Sequence, residues 1–536
     1  MSLTVILFLP VAVGLAGFLF PRRMTGLVGW WALLGSLVSL GLAIALLIDF
    51  DSASGALQEV VDQSWIPQLG VSFQLGVDGL SIFLVLLTSL LWAAAIGWSA
   101  LQGPDRPRNY FFMLGLAQTG TLGAFLAQDL LLFVLFFDLM LIPFYFLIGA
   151  WGTGDRIPAT IKMIIYTLIG SLLMLVAAIA TAVLSADAIG GVTFSIETLR
   201  QVPLPAGSQY WIFAFFSAAF LVKMPAFLVH GWMAGAYRTC PLPVLVLLSG
   251  VLSKVAAYGF LRIVIPLFPD AAIHFQDVLL LIGLASILYG SAMAFTQTNM
   301  RLIAGYSSIA QMGFITIGIF SLSAAGGDGS VIQMFNHGLV VAVIFLIIAV
   351  LIERAGTEDI REMGGLAKRA PVLAALFIIV TMALLAIPGS ANFVGEFFIL
   401  KGVFQTKVAI ALIASTGIAL AAFYALRLYQ RTMHDRLPAG TTSREVTLRE
   451  AVVLVPLVAC IVALAFYPGL ITTRGEASVD RSLTALCEGS YAPAGQPQPA
   501  VGAGCPEGVD PAPDPEAVAA ARDGWTGYAP VAEATP

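Results

Sequence analysis

The sequence predicts an all-α polytopic membrane protein with about fourteen transmembrane helices. Hydrophobic residues make up 59% of the 536 residues and charged residues only 11%, which is far more apolar than a soluble domain. Apolar runs of membrane-spanning length recur along the chain. Two of these runs are interrupted by proline and carry ionisable residues, a pattern typical of transporters with broken helices around an ion path.

The predicted spans are separated by short polar connections. They begin near Leu3, Gly26, Gly79, Tyr110, Leu130, Met163, Trp211, Leu242, Val278, Leu302, Val331, Pro371, Val408 and Val452. The first span is not a cleavable signal peptide, because no positive residue precedes it and Arg22 and Arg23 follow it. Arginine and lysine collect in alternate connections, including 353–369 and 427–449. The positive-inside rule places these connections in the cytoplasm and both termini outside.

The seventh span, Trp211 to Trp232, carries Lys223 near its middle and Pro225 directly beyond. A charge at the bilayer centre costs about 2.5 to 3.5 kcal/mol on insertion scales. Proline removes a backbone donor, so we expect a broken helix whose freed groups are satisfied by protein or water. Snorkelling of the lysine to an interface is the simpler alternative, but its depth favours a role in transport.

Two further ionisable residues lie deep in neighbouring spans. Asp138 stands alone among apolar residues of the fifth span, with Pro143 following it. It must face the protein interior, and Lys223 is its expected partner, although a neutral aspartic acid bonded to a backbone carbonyl is the alternative. Lys254 in the eighth span is about as deep as Lys223. Desolvated lysines in adjacent spans suit a proton relay better than packing.

The second half of the chain repeats this pattern. His337 in the eleventh span can pass protons through either ring nitrogen, although it can also be a hydrogen-bonded core residue. In the twelfth span Pro388 and Gly389 interrupt the helix, and Glu396 and Lys401 follow. A second broken helix five spans after the first predicts two inverted five-helix repeats, with helices 7 and 12 broken.

These observations divide the chain into five parts. Helices 1–3 occupy residues 1–109, the first repeat with helices 4–8 occupies 110–265, and the inverted repeat with helices 9–13 occupies 276–433. The last helix follows at 450–472. Residues 475–536 are rich in Ala, Pro and Gly and are expected to form a disordered extracytoplasmic tail.

Several kinds of site are not indicated. The 4 cysteines show no CxxC spacing and no clustered histidines or carboxylates, which argues against a metal or iron–sulfur site. No nucleotide-binding glycine motif follows a strand pattern, and no basic patch suggests nucleic acid. Cys487 and Cys505 could pair in the tail. Asp78, at the entry of the third span, is expected to be a helix cap.

Several motifs together identify a family. They are LGVDGLS, FFDLMLIPFYFLIGAWG, KMPAFLVHGW, SKVAAYGFLR, RLIAGYSSIAQMGF, NHG with VLIER downstream, and PGSANFVGEFFILKG. With them, residues Leu3 to Ile471 resemble the antiporter-like membrane subunits of bacterial respiratory complex I. The resemblance implies a subunit of a redox-driven proton pump in the bacterial inner membrane, lying between chain L- and chain N-type neighbours. It implies no cofactor in this chain, and FMN, iron–sulfur clusters and quinone in partner subunits.

The resemblance also implies roles for five residues. Asp138 is the fifth-span carboxylate, Lys223 its lysine partner, Lys254 the central lysine, His337 the eleventh-span histidine and Glu396 the exit-side carboxylate. Glu396 favours the chain M type, because sister subunits tend to have lysine there. It likewise disfavours the Mrp-type cation/proton antiporters, which share the helices and lysines and are the main alternative. A structural spacer is disfavoured because all the main ionisable positions are present.

Two positions depart from the family pattern. Asp138 stands where glutamate is usual, which shortens the reach of the carboxylate by one methylene. The sequence HGWMAGAY replaces HGWLPDAH, so that Tyr237 takes the place of a second histidine. Neither change removes an ionisable group from the expected membrane path.

Overall fold

The computed structural model describes residues 2–436 and 444–486, and these are almost entirely helical. Within this part, ten helices are long and apolar enough to cross a membrane, and Leu3–Leu19 and Pro371–Leu384 are shorter apolar helices. The predicted all-helical membrane fold is confirmed. The count of fourteen spans and the inverted relation of the two repeats stay predictions. Cys487, Cys505 and most of the predicted tail lie outside the described residues.

The first half of the chain forms helices up to the end of the predicted first repeat. These are α1 (Leu3–Ala16), α2 (Val28–Asp49), α3 (Ile82–Gln102), α4 (Pro107–Leu126), α5 (Leu130–Leu139), α6 (Leu141–Trp151), α7 (Arg156–Leu184), α8 (Ala186–Ile189), α9 (Ile196–Arg200), α10 (Ala206–Lys223), α11 (Met233–Thr239), α12 (Leu242–Leu247), α13 (Ser253–Gly259) and α14 (Ile265–Leu267). Two π-helical segments, Leu248–Leu252 and Phe260–Val264, join α12, α13 and α14 into one continuous helix, Leu242–Leu267.

The second half begins with a short connecting helix. It comprises α15 (Pro269–His274), α16 (Gln276–Thr296), α17 (Met300–Phe320), α18 (Ala324–Ala355), α19 (Pro371–Leu384), α20 (Ala391–Thr406), α21 (Val408–Met433), α22 (Leu448–Phe466) and α23 (Gly469–Thr484). Single 3-10 turns occur at Gly17–Leu19, Arg22–Leu27, Pro67–Leu69, Ile360–Glu362 and Leu366–Lys368.

The core of the bundle is formed by the helix Leu242–Leu267 together with α3, α17 and α18, which are buried along nearly their whole length. The helices α2, α7, α21 and α22 surround this core and leave large apolar side chains uncovered, such as Ile169 and Val452. Such an apolar exterior is expected of helices in contact with lipid. Ionisable residues in the central helices are therefore shielded by protein.

A small β-hairpin interrupts the helical fold between α2 and α3. Its strands β1 (Gln58–Ile66) and β2 (Val71–Val77) pair antiparallel, with Asp62 opposite Gln74. This segment is one of the polar connections between the predicted spans, and no strand was predicted in it. The hairpin is stabilised by contacts outside the segment, since Ser72 N donates to the Asp129 carboxylate at 3.0 Å.

The segment after the last span corrects the prediction of a disordered tail from residue 475 onwards. The helix α22 ends at Phe466 rather than at 472, and α23 then continues to Thr484. Ile471, Val479 and Leu483 form the buried face of α23, while its other face is polar. The low average hydropathy of the segment concealed this amphipathic spacing, which needs only one apolar stripe to pack a helix.

One end of the bundle brings together α1, the hairpin, α9 and α23. The rings of Phe8 and Phe73 stack with centroids 6.2 Å apart. Arg481 of α23 donates to the carbonyl of Gly55 at 3.2 Å and pairs with Glu197 of α9 at 2.7 Å. The first helix therefore starts at the same end of the bundle at which α23 lies.

Candidate functional site

Lys223 is the last residue of α10, and the chain stays non-helical until Met233. Pro225 lies inside this interruption. Nearby side chains bond the backbone groups that the interruption leaves without helical partners. The Trp232 indole N–H donates to the Val222 carbonyl at 2.9 Å. The Lys223 side chain is buried and donates to the carbonyl of Phe137 at 3.1 Å, and its Nζ lies 4.2 Å from the centroid of the Phe137 ring. A carbonyl dipole and an aromatic face thus replace part of its hydration.

Asp138 follows Phe137 in the last turn of α5, and α6 begins at Leu141 after a break. It is half-buried next to Ser171 of α7. The expected direct ion pair with Lys223 is absent from the described residues, where no lysine nitrogen lies within 4 Å of this carboxylate. Carbonyls in the last turn of a helix lack intrahelical donors, so the Phe137 carbonyl is free to accept from Lys223, which packing places beside it.

Lys254 lies in α13 between the two π-helical segments. It is fully buried, and its Nζ donates to the Ser249 carbonyl at 2.8 Å and to Ser253 Oγ at 3.3 Å. A π-helical turn shifts backbone carbonyls out of the α-helical register and is frequent at functional sites. The Ser249 carbonyl belongs to such a turn, which lets it accept from the lysine of the following turn.

A small cavity lies beside Lys223. It measures about 10 Å³ and is lined by Lys223, Pro225, Tyr237 and Ser253, among others. This is close to the smallest volume that holds one water molecule. Since Ser253 is also a partner of Lys254, a single bridging group can connect the neighbourhoods of both lysines.

His337 in α18 is brought towards Lys254 by a close helix contact. The next residue, Gly338, packs against Gly250 so tightly that a Cβ atom at Gly338 would lie 2.6 Å from the Gly250 carbonyl oxygen. The imidazole is fully buried, and neither ring nitrogen has a hydrogen-bond partner among the residues that the structure describes. Lys254 is close enough to interact electrostatically with it. A core histidine in a purely structural role would be expected to be hydrogen-bonded.

Glu396 lies in α20, just after the chain interruption between Leu384 and Ala391. The carboxylate is buried and accepts from the Gln311 side chain of α17 at 2.8 Å. Gln333 of α18 donates in turn to Gln311 Oε1 at 2.6 Å. Sequence reasoning missed both glutamines, although an amide within each of two helices of membrane-spanning length was a usable signal.

The interruption before α20 is tied to α18 by Asn336, whose side chain donates to the Ala391 carbonyl at 2.7 Å. Asn392 is also buried, and both of its side-chain polar atoms lack partners among the described residues. Unpaired polar atoms therefore line the route from His337 towards Glu396.

Asp78 was predicted to cap a helix, and its carboxylate caps the turn that leads into α3, whose N-cap residue is Ser81. It also makes a contact that was not predicted. Its Oδ1 accepts from the backbone N–H groups of Leu80 and Ser81 at 3.1 and 3.0 Å. Its Oδ2 pairs with the buried Arg262 at 3.2 Å, and Arg262 also donates to Gln128. Sequence patterns do not indicate Arg262 as the partner of Asp78, because the two residues are far apart in the chain.

The described residues contain no group of three or more His, Cys, Asp or Glu side chains able to hold a metal ion. What the arrangement offers is a series of groups that can each bind and release one proton. In chain order they are a carboxylate, two amines, an imidazole and a second carboxylate. Such a series can transfer protons through a bundle when neighbouring groups change each other's proton affinity.

Comparisons with known proteins agree with this architecture. A family model described as NADH:quinone oxidoreductase/Mrp antiporter, TM matches residues 127–421. NADH-quinone oxidoreductase subunit M of Rhodobacter capsulatus is 37% identical over 490 residues, covering 88% of this chain and 94% of that protein. The protein of the same name from Escherichia coli K12 is 37% identical over 466 residues, covering 83% and 91%.

Solved structures give the same result. A chain of the respiratory complex I from Thermus thermophilus with bound NADH superimposes with a TM-score of 0.82 at 28% identity, over 90% of this chain and 100% of that chain. A chain of the Mrp complex from Dietzia reaches a TM-score of 0.79 at 21% identity and shares the fold. The resemblance stated from the motifs is therefore confirmed, and the chain belongs to the NADH:quinone oxidoreductase/Mrp antiporter membrane family, in the branch of NADH-quinone oxidoreductase subunit M.

Proposed function

We propose that the chain is a proton-translocating membrane subunit of respiratory NADH:quinone oxidoreductase. The observation that carries this proposal is the burial of Lys223, Lys254, His337 and Glu396 in or against the central helices, close to the interruptions that follow α10 and α19. Buried charge of this kind is costly and marks ion pathways. The names of the relatives supply the reaction that would drive the pathway.

In the proposed mechanism, Lys223 exchanges between the Phe137 carbonyl and the Asp138 carboxylate. Ion pairing with Asp138 favours the charged ammonium, and loss of the pair favours release of the proton. A neighbouring subunit would set which arrangement is populated. The released proton would pass through the Ser253 side of the cavity to Lys254, then by His337 to Glu396 and out.

The last part of the proposed proton path depends on the hydrogen bonds among Gln311, Gln333 and Glu396. Gln311 and Gln333 hold Glu396 in a fixed position, while the unpaired atoms of His337 and Asn392 offer donors and acceptors to water. Water chains between polar groups are effective proton carriers where a protein cavity is wet. We therefore assign Glu396 as the exit-side group of the chain.

The redox chemistry would occur elsewhere in the complex. We assign FMN, the iron–sulfur clusters and the quinone site to partner subunits, and chain L- and chain N-type subunits as the neighbours of this chain in the membrane. Quinone reduction would reach this subunit only through changes at those contacts. The bacterial inner membrane is the proposed location, with the arginine-rich connections in the cytoplasm and both termini outside.

The experiment is isolation of the complex through an affinity tag on this chain in mild detergent. The proposal expects flavin, iron–sulfur subunits and NADH:quinone activity in the purified material, and NADH-driven proton uptake after reconstitution in vesicles. Co-purification with antiporter chains alone, without flavin or iron, would favour an Mrp-type cation/proton antiporter instead.

A further inference from the structure

Two cavities adjoin where α22 begins, at the end of the bundle opposite the hairpin. One of about 860 Å³ lies between the ends of α3 and α18 and the start of α22. The other, about 440 Å³, follows α2, α3 and α22 along the bundle. Both volumes are in or near the range of ligand sites. Leu101, Leu448 and Arg449 line both cavities, so that Arg449 stands at their junction.

The second cavity is an apolar groove between spanning helices. Leu33, Leu37, Leu90 and Val453 are among its lining residues, and Val452 leaves 65% of its surface uncovered beside them. All three helices are long and apolar enough to cross the membrane. Within the hydrocarbon region of the bilayer, a ligand must either pair its polar groups internally or be a hydrocarbon chain. An acyl chain meets this requirement.

The first cavity carries an unused hydrogen-bond donor. Trp98 lines it and is only 4% exposed. Its indole N–H has no acceptor among the residues 2–436 and 444–486. A buried donor without an acceptor costs about 1 to 3 kcal/mol of stability. The indole N–H of a buried tryptophan usually donates a hydrogen bond, and tryptophans are frequent at membrane interfaces. The donor therefore points to a ligand that brings an oxygen acceptor.

Four charged residues line this cavity, and three of them are held in ion pairs. Glu353 pairs with Arg444 at 2.5 Å, and Glu450 pairs with the buried Arg354 at 2.9 Å. Arg449 has no ion pair or hydrogen bond to any residue in the described part of the chain. It lies in the first turn of α22, where the helix dipole disfavours a positive charge. Local helix stability therefore does not account for Arg449.

We propose that the two cavities together bind one phospholipid with a singly negative headgroup, such as phosphatidylglycerol. One acyl chain lies in the groove between α2, α3 and α22. The phosphate faces Arg449, and a headgroup oxygen accepts from the Trp98 indole N–H. The single negative charge balances the single unpaired cation. This binding goes beyond the proposed function, because it uses no residue of the proton path.

The test uses the complex isolated through a tag on this chain, with its lipid exchanged for photoactivatable phosphatidylglycerol or phosphatidylcholine. Cross-linked peptides of α3 and α22 are quantified by mass spectrometry per mole of complex. The proposal expects phosphatidylglycerol to label these peptides about fivefold more than phosphatidylcholine, the preference that one surface cation supplies. Equal labelling by the two probes would overturn it, as would no labelling by either, the result expected if a neighbouring helix fills the groove.

Three variants test separately the contact of the headgroup with Arg449 and the binding of the acyl chain in the groove. Arg449→Gln should remove the preference for phosphatidylglycerol, and Arg369→Gln, an exposed arginine that lines neither cavity, should keep it. Gly97→Leu should lower labelling by both probes, because a Cβ atom there meets only Leu33 and Val453 at 3.5 and 4.0 Å and the longer side chain enters the groove. An unchanged preference in Arg449→Gln, or unchanged labelling in Gly97→Leu, would contradict the proposal.

Discussion

Lys223 Nζ lies 3.1 Å from the carbonyl oxygen of Phe137, the residue that precedes Asp138. The lysine is thus held beside the carboxylate by neutral groups and not by a direct ion pair. Because an ion pair favours the charged amine and a carbonyl favours it less, the two arrangements differ in proton affinity. A group that can change between them is suited to taking up and releasing a proton.

The length of the side chain at position 138 should tune this exchange. Asp138→Ala removes the counter-charge, and we expect NADH-driven proton uptake by reconstituted vesicles to fall roughly a hundredfold, at the lower end of what one positioned acid–base group contributes. Asp138→Glu adds one methylene towards Lys223 and should keep uptake close to that of the unmodified complex. Loss of proton uptake in an assembled Asp138→Glu complex would contradict the prediction that either carboxylate side chain supports transport at this position.

The amide network should matter for transport and not only for folding. Gln311→Met removes the donor that Glu396 accepts from at 2.8 Å and leaves it only the longer contact from Gln333 at 3.5 Å. We expect proton uptake to fall by roughly tenfold, because a hydrogen bond to a charged group contributes about 1.5 to 3 kcal/mol. Gln118→Met is the matched control, since this buried amide bonds to Ser39 away from the path. If both variants lowered proton uptake equally, Gln311 would have only a structural role.

The contact between Asp78 and Arg262 should stabilise the fold without acting in transport. Arg262→Gln leaves Asp78 buried without its partner and should cost about 3 to 5 kcal/mol of stability. Asp78→Asn keeps the cap oxygen, so the double variant should recover to within about 1 kcal/mol of the unmodified protein. Thermal unfolding of the purified complex measures this cycle. Additive losses would mean that the ion pair is not what couples the two residues.

The orientation in the membrane can be measured with single cysteines in a background in which all 4 native cysteines are replaced. Lys368 and Ala53 are exposed at opposite ends of the bundle. In intact cells an impermeant thiol reagent should label Ala53→Cys and spare Lys368→Cys, because the arginine-rich connection is expected in the cytoplasm. The reverse pattern would invert the proposed topology.

The fold and the main ionisable positions could be predicted because hydropathy and charge act locally. A lysine followed by proline in an apolar run, as at Lys223 and Pro225, indicates a deep charge and a helix interruption without knowledge of neighbours. The all-helical fold follows from the length of the runs, since backbone groups in lipid must bond within the segment.

Other features depend on contacts between distant residues and were missed for that reason. The π-helical turns around Lys254 have the same hydropathy as a regular helix. The pair between Asp78 and Arg262 and the choice of Phe137 over Asp138 by Lys223 are decided by packing. The hairpin and α23 are polar on average, and their single buried faces emerge only against the bundle.

The central claim is that Lys223 takes up and releases a transported proton. The direct measurement is NADH-driven proton uptake by reconstituted vesicles, with electron transfer and assembly determined on the same preparations. Lys223→Ala should lose most of the uptake, and Lys223→Arg should fail as well, because guanidinium does not release its proton in this pH range. Lys368→Ala, at an exposed lysine outside the path, should pump normally. Normal pumping by an assembled Lys223→Ala complex would contradict the account.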